Sequence, residues 1–129
     1  MEKPQMILVA GPYRSGTNDD PQLIQKNVEF MTEIALEVYR LGHLPVLGEW
    51  YALPLIEAAD SKKLGDEVFT EIFHPVAVML VDFCTAVLRV GGMSQGADEM
   101  VQTGIKQGKI IYRDLSEIPN IRHSPDTIQ

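Results

Sequence analysis

The chain is poor in cysteine, in basic residues and in long apolar runs, and each shortage removes a class of protein. A single cysteine, Cys84, in 129 residues leaves no internal disulfide and no thiol pair for a zinc knuckle. Cys84 sits in an apolar stretch, which predicts an inert core thiol in a reduced, cytoplasmic protein. With 11 Lys and Arg against 18 Asp and Glu, the net charge of −7 offers no basic patch for a nucleic-acid backbone. The three histidines and Cys84 show no metal-ligand spacing, so no metal is expected. The apolar stretch from Val76 to Val90 is broken by Asp82, Thr85 and Arg89, which argues against a membrane span. Met1 to Gln5 lead into a short strand without the apolar run of a signal peptide. Gly91-Gly92 lack the Gly-Lys-Ser/Thr ending of a phosphate loop, and no Gly-x-Gly-x-x-Gly follows the first strand. Nucleotide triphosphate hydrolysis and a dinucleotide cofactor are therefore not expected, and no cofactor is. A serine hydrolase lacks its Gly-x-Ser-x-Gly elbow.

A length of 129 residues suits one domain, 1–129, with 114–129 a polar C-terminal tail that wraps or frays. Met6 to Ala10 is wholly apolar and opens into the turn-rich Gly11 to Thr17, a buried strand followed by a loop. Asp20-Pro21 marks a helix start; Ile24, Val28, Met31, Ala35 and Val38 form its stripe, and Gly42 its stop. His43 to Leu47 reads as a short second strand, kept to an edge by Pro45. Glu49 to Pro54 reads as an aromatic-bearing loop that either lines a pocket or plugs the core, and Asp60 to Gly65 as a loop or helix cap. Asp66 to Phe73 and Pro75 to Phe83 read as helical pieces divided at Pro75, the second piece open to a strand reading. The alternation predicts an α/β fold: a small doubly wound, flavodoxin-like or Rossmann-like parallel sheet of four or five strands. Its strand order would be 2-1-3-4 or an extension of that, with helices on both faces in three layers.

The most informative segment runs from Ala86 to Tyr112: strand, glycine turn, helix, glycine stop and a strand over Lys109 to Tyr112. Where a parallel strand hands over to a helix, N–H groups and the helix dipole face a crevice that suits an anion. Glu99 enters that region in the first turn, off the apolar stripe Ala97, Met100, Val101, Gly104 and Ile105. It reads either as a nucleophile or general base, or as a solvated helix residue. Arg14, which follows the first predicted strand, and Arg89, near the end of another, are the basic residues placed for such a crevice. His74, before a proline in an apolar stretch, reads as structural; His43 would satisfy the last carbonyls of the first helix; His123 lies in the tail and suggests nothing.

Taken together, Ile7 to Tyr13, Ala86 to Arg89, Ser94 to Glu99 and Gly108 to Tyr112 resemble the nucleoside 2-deoxyribosyltransferase-like superfamily, nearest to an uncharacterised bacterial and phage branch. The resemblance runs from about Met6 to Pro119. It implies that Glu99 attacks the anomeric carbon of a nucleoside or nucleotide, and that Ser94 and Gly96 hold its 5′ end. Arg14 falls where nucleotide-using relatives bind phosphate, and Gly11 belongs to the first-strand loop of the same substrate site. Leu8 and Pro12 stand where those relatives have tyrosine and serine, and Thr85 where an aspartate is common. The superfamily's acid near the base is matched most nearly by His74, with Glu71 and Asp82 as imperfect substitutes.

The functional expectation is an N-glycosyl hydrolase or transferase acting on a small-molecule nucleoside or nucleoside monophosphate. The alternatives are a non-catalytic nucleotide-binding or sensing domain on the same fold, and an interaction module working through the region around Trp50. The 45% apolar composition and the stretch from Val68 to Phe83 predict a homo-oligomer, as does the resemblance.

Overall fold

A computed structural model of the chain describes residues 3–122; His123 and the rest of the expected tail lie outside the described residues. Four parallel strands, β1 (Met6–Ala10), β2 (Leu44–Val46), β3 (Ala86–Arg89) and β4 (Ile110–Tyr112), form a sheet in the order β2-β1-β3-β4. Helix α1 (Pro21–Arg40) joins β1 to β2, α2 (Gly48–Ala58) and α3 (Glu67–Phe83) join β2 to β3, and α4 (Gln95–Lys106) joins β3 to β4. This is the doubly wound, three-layer α/β fold expected from the alternation of elements.

The wholly apolar β1 is explained by burial on both faces. Ile7 and Val9 pack with Met31 and Val38 of α1, while Leu8 and Ala10 pack with Ala77, Val81, Ala97 and Val101 of α3 and α4. The chain moves from β1 to β2 in one direction and from β2 to β3 and β4 in the other. Connections of a single hand must then use opposite faces of the sheet. Ile118, after a short turn at Leu115–Glu117, joins the α1 side of the core. The backbone N–H of Ile121 donates to Leu41 at 2.9 Å. The described part of the tail therefore wraps back onto the end of α1.

Helix α1 starts and stops where its local signals place it: Asp20 accepts from the N–H of Gln22, Pro21 opens the first turn, and Gly42 takes a positive φ of 103°. Two expectations between β2 and β3 are corrected. The segment from Glu49 to Pro54 is part of the helix α2, not a loop, because Ala52 and Ile56 bury one face against α3. Pro75 does not divide α3, which is one continuous helix and not a strand. The proline leaves the Glu71 carbonyl without its N–H partner, but Glu71 and Pro75 both lie on the exposed side, where that carbonyl is open to solvent.

His43 is likewise reassigned. Its side chain is buried and does not cap α1: Nδ1 accepts from the Gln5 N–H at 3.0 Å, and Nε2 faces the Pro119 carbonyl at 2.7 Å. The first of these bonds makes Nε2 the protonated nitrogen of a neutral ring, so Nε2 donates to Pro119. Only the His43 backbone N–H serves the helix end, donating to the Val38 carbonyl at 3.3 Å.

Candidate functional site

β1 and β3 are neighbours whose following helices, α1 and α4, depart to opposite faces, and a crevice opens between their loops at the carboxyl edge of the sheet. A cavity of about 320 Å³ occupies it. Gly11, Arg14, Ser94, Gly96 and Glu99 all line this cavity, so the structure brings together residues separated by as many as 88 positions. The third wall, supplied by α3, carries Phe69, Phe73 and His74.

Gly11 is placed by packing. A Cβ there would lie 2.5 Å from Met31 Sδ and 2.9 Å from the Val90 carbonyl oxygen, so only a bare backbone fits between α1 and the end of β3. Ser94 is the buried N-cap of α4, and its hydroxyl oxygen accepts from the Ala97 N–H at 3.2 Å while its own proton stays free to donate. A Cβ on Gly96 would stand 3.4 Å from His74 Nδ1, so α4 approaches the imidazole with no side chain between them.

Glu99 is the fifth residue of α4 and stands in the second turn; the first-turn acid is Asp98. Glu99 Oε1 lies 2.6 Å from His74 Nε2, with side chains 51% and 37% exposed. The pair gives His74 a charged partner on the cavity wall that its apolar surroundings in the sequence did not signal. No periodicity marked it, and only its place in the superfamily resemblance pointed to it. Glu71 is exposed outside the cavity, and Asp82, near the far end of α3, bonds to Gln107. Neither lines the cavity as His74 does.

Aromatic rings build the apolar part of the wall. Phe69 and Phe73 stack at 4.8 Å between centroids, and Tyr13 tilts against Phe73 at 4.9 Å. Burial first, and the charge of Glu49 second, raise the Tyr13 phenol above its ordinary value. Glu49 itself is buried at the start of α2, and burial pushes its carboxyl up to about 7. Read as the first residue of an aromatic-bearing loop, Glu49 carries no local signal that it is buried. Trp50 and Tyr51 face solvent from α2 and line no part of this cavity.

The two arginines behave differently. Arg89 is spent on structure: its Nε bonds Asp98 at 2.9 Å and its Nη2 donates to the Gly92 carbonyl at 2.8 Å, holding the β3–α4 turn. Arg14 lines the cavity with its guanidinium 5.5 Å above the Phe69 ring and bonded through two nitrogens to Asp19. Leu8 and Pro12, the two departures from the superfamily pattern in the first strand and its loop, are buried, Leu8 within the core of the sheet.

A wider groove of about 960 Å³ continues from the cavity, sharing Ser15, Ser94, Gln95 and Glu99 with it and adding Asn27, Asp98 and Gln102. Glu99 therefore stands on the ridge between two compartments. Among the described residues no group of His, Cys, Asp and Glu is arranged to hold a metal ion, and no helix is long and apolar enough to cross a membrane. Cys84 is buried in the core, and burial raises its thiol to about 11. In comparisons with known proteins, the chain matches no family model and no curated protein at a significant level.

Proposed function

We propose that this chain is an N-glycosyl hydrolase or transferase for a (deoxy)nucleoside or nucleoside monophosphate, with Glu99 as its nucleophile. The observation that carries this reading is the Glu99–His74 pair, 2.6 Å apart, on the wall of an aromatic-lined cavity between the β1 and β3 loops. The cavity volume of about 320 Å³ falls at the lower end of the roughly 300–1,000 Å³ common for small-molecule sites. A planar base suits the Tyr13 and Phe73 wall, and the sugar then lies over Glu99 with its substituents toward the groove.

In this arrangement a Glu99 oxygen attacks C1′ and the C1′–N pair leaves with the base, which takes up one proton. The glycosyl ester is then opened by water in a hydrolase or by a second base in a transferase. His74 donates to the nucleophile itself, so it is a positioning residue that orients the carboxylate rather than an acid on the leaving-group side. That same placement favours a second reading, a nucleotide-binding domain that lacks a leaving-group acid. The resemblance to the nucleoside 2-deoxyribosyltransferase-like superfamily supports the first reading by analogy only.

Incubation with a panel of deoxynucleosides and their monophosphates, followed by chromatography for free base, separates the two. Release that disappears in Glu99→Ala, with ligand affinity kept within about tenfold, supports the enzyme. Binding without release supports the binding domain.

We also infer a homo-oligomer acting in the cytoplasm. The exposed face of α2 carries Trp50, Tyr51, Pro54 and Leu55, and the end of α3 exposes Met79 and Phe83, more apolar surface than one chain covers. A monomer mass by light scattering at micromolar concentration contradicts the oligomer.

A further inference from the structure

Arg14 is the only arginine or lysine among the described residues that line the cavity and its groove, and it is already occupied. Its Nε and Nη2 each donate to a different oxygen of Asp19 at 2.9 Å, the fork-to-fork geometry in which an arginine otherwise grips a phosphate. The guanidinium is further confined by the Phe69 ring on one side and by Gly65, where a Cβ would lie 2.5 Å from Nη2.

The loop that delivers Asp19 is built for that purpose. Thr17 is buried; its hydroxyl donates to the Arg14 carbonyl and accepts the Asp19 N–H at 3.0 Å. Asn18 and Asp19 follow with φ of 49° and 60°, two consecutive left-handed residues that are not glycine. The Asp20 N–H returns to the Thr17 carbonyl at 2.9 Å before α1 begins. The carboxylate thus reaches Arg14 from a preformed turn, not from a freely rotating surface side chain. The other polar groups of the two walls are the acids Asp98 and Glu99, the His74 imidazole already paired with Glu99, and neutral amides and hydroxyls.

We propose that Asp19 is a specificity-determining residue: by filling the fork of Arg14 it withholds the site's one arginine from a ligand's phosphate, so the cavity favours a neutral nucleoside over its 5′-monophosphate. The inference rests on the nucleoside reading of the site but makes no use of catalysis. It revises the role that resemblance assigns to Arg14, which grips phosphate only once Asp19 has been displaced. The lost contact is a competition between two anions for one fork, and Asp19 holds the intramolecular advantage.

Titration calorimetry with thymidine, 2′-deoxyadenosine and their 5′-monophosphates, at constant ionic strength, tests this in wild type and in Asp19→Asn. Asparagine tolerates the left-handed backbone and keeps the loop while losing the charge. Wild type is expected to bind each nucleoside more tightly than its monophosphate. Asp19→Asn is expected to raise monophosphate affinity about tenfold while nucleoside affinity moves less than twofold. Adding Arg14→Ala to that variant should abolish the gain, and unchanged melting temperatures show that the fold persists. A wild-type preference for monophosphates, equal changes for both ligands, or no gain in Asp19→Asn overturns the proposal. Binding with this pattern but no release of base leaves it standing and removes only the enzyme reading. Base release with monophosphates preferred does the reverse, and no binding of any of the four compounds removes both.

Discussion

Nε2 of His74 and Oε1 of Glu99 meet at 2.6 Å across the contact between α3 and α4, joining a residue in the middle of one helix to the second turn of the other. Gly96, one turn earlier on α4, presents no side chain to the imidazole ring, where a Cβ would just reach van der Waals contact at 3.4 Å. The carboxylate is thereby held in one orientation at the cavity wall while staying half-exposed to a ligand.

If the pair serves to aim the carboxylate, His74→Ala should lower kcat for base release by roughly ten- to a hundredfold and leave KM nearly unchanged, since misplacement by about 1 Å costs up to that much. His74→Gln, which retains an N–H donor, should recover part of the rate. Steady-state kinetics on both variants check this, and an unchanged kcat in His74→Ala would sink the positioning role.

Gly65→Ala should destabilise the protein by about 1–2 kcal/mol. Its φ of 78° strains any residue with a Cβ, and the added methyl would overlap the Arg14 guanidinium. Urea unfolding measures the loss. A variant as stable as wild type means that Arg14 is free to leave its place over Phe69.

Glu49 carries a pH-dependent penalty. Burial raises its carboxyl from 4.5 to about 7 in the folded protein, so between those values the folded state holds a proton that the unfolded state has released. Stability contributed by this group therefore falls as pH rises from about 4.5 to about 7 and then levels off. Glu49→Gln removes the effect, and the variant should gain on the order of 3 kcal/mol over wild type at pH 8 and little at pH 4. Urea midpoints across that range give the comparison; a difference independent of pH contradicts it.

Pro75→Ala should stabilise the protein by about 1–2 kcal/mol. The new N–H can close the bond to the Glu71 carbonyl in a continuous α3, an effect larger than the roughly 1 kcal/mol gained by a more flexible unfolded chain. Thermal and urea unfolding report the change, and a loss of stability would mean that the ring packs favourably where it stands.

The features legible in the amino-acid sequence are those whose cause is local. Met6–Ala10 is continuous in apolar residues because both its faces are covered; Asp20-Pro21 and Gly42 bound α1 through the first and last turns alone. All-parallel alternation sends the loops after β1 and β3, and with them Gly11, Arg14, Ser94, Gly96 and Glu99, to one edge of the sheet, whereas the order β2-β1-β3-β4 that makes those strands neighbours is one of several that alternation allows. Where a residue's role depends on what a distant element brings to it, local pattern carries no signal. Pro75 looks like a helix breaker, and Pro54 like the end of a loop, until packing turns each toward solvent within a continuous helix. His74 meets Glu99 25 positions away, and His43 ties Gln5 to Pro119 over 38 and 76 positions. Glu49 reads as part of a loop until α2 forms and turns it toward the interior. Periodicity reports which side of a helix is apolar, whereas the partner that side meets is chosen by sheet order and by the face each crossover takes, and only the assembled tertiary structure decides that.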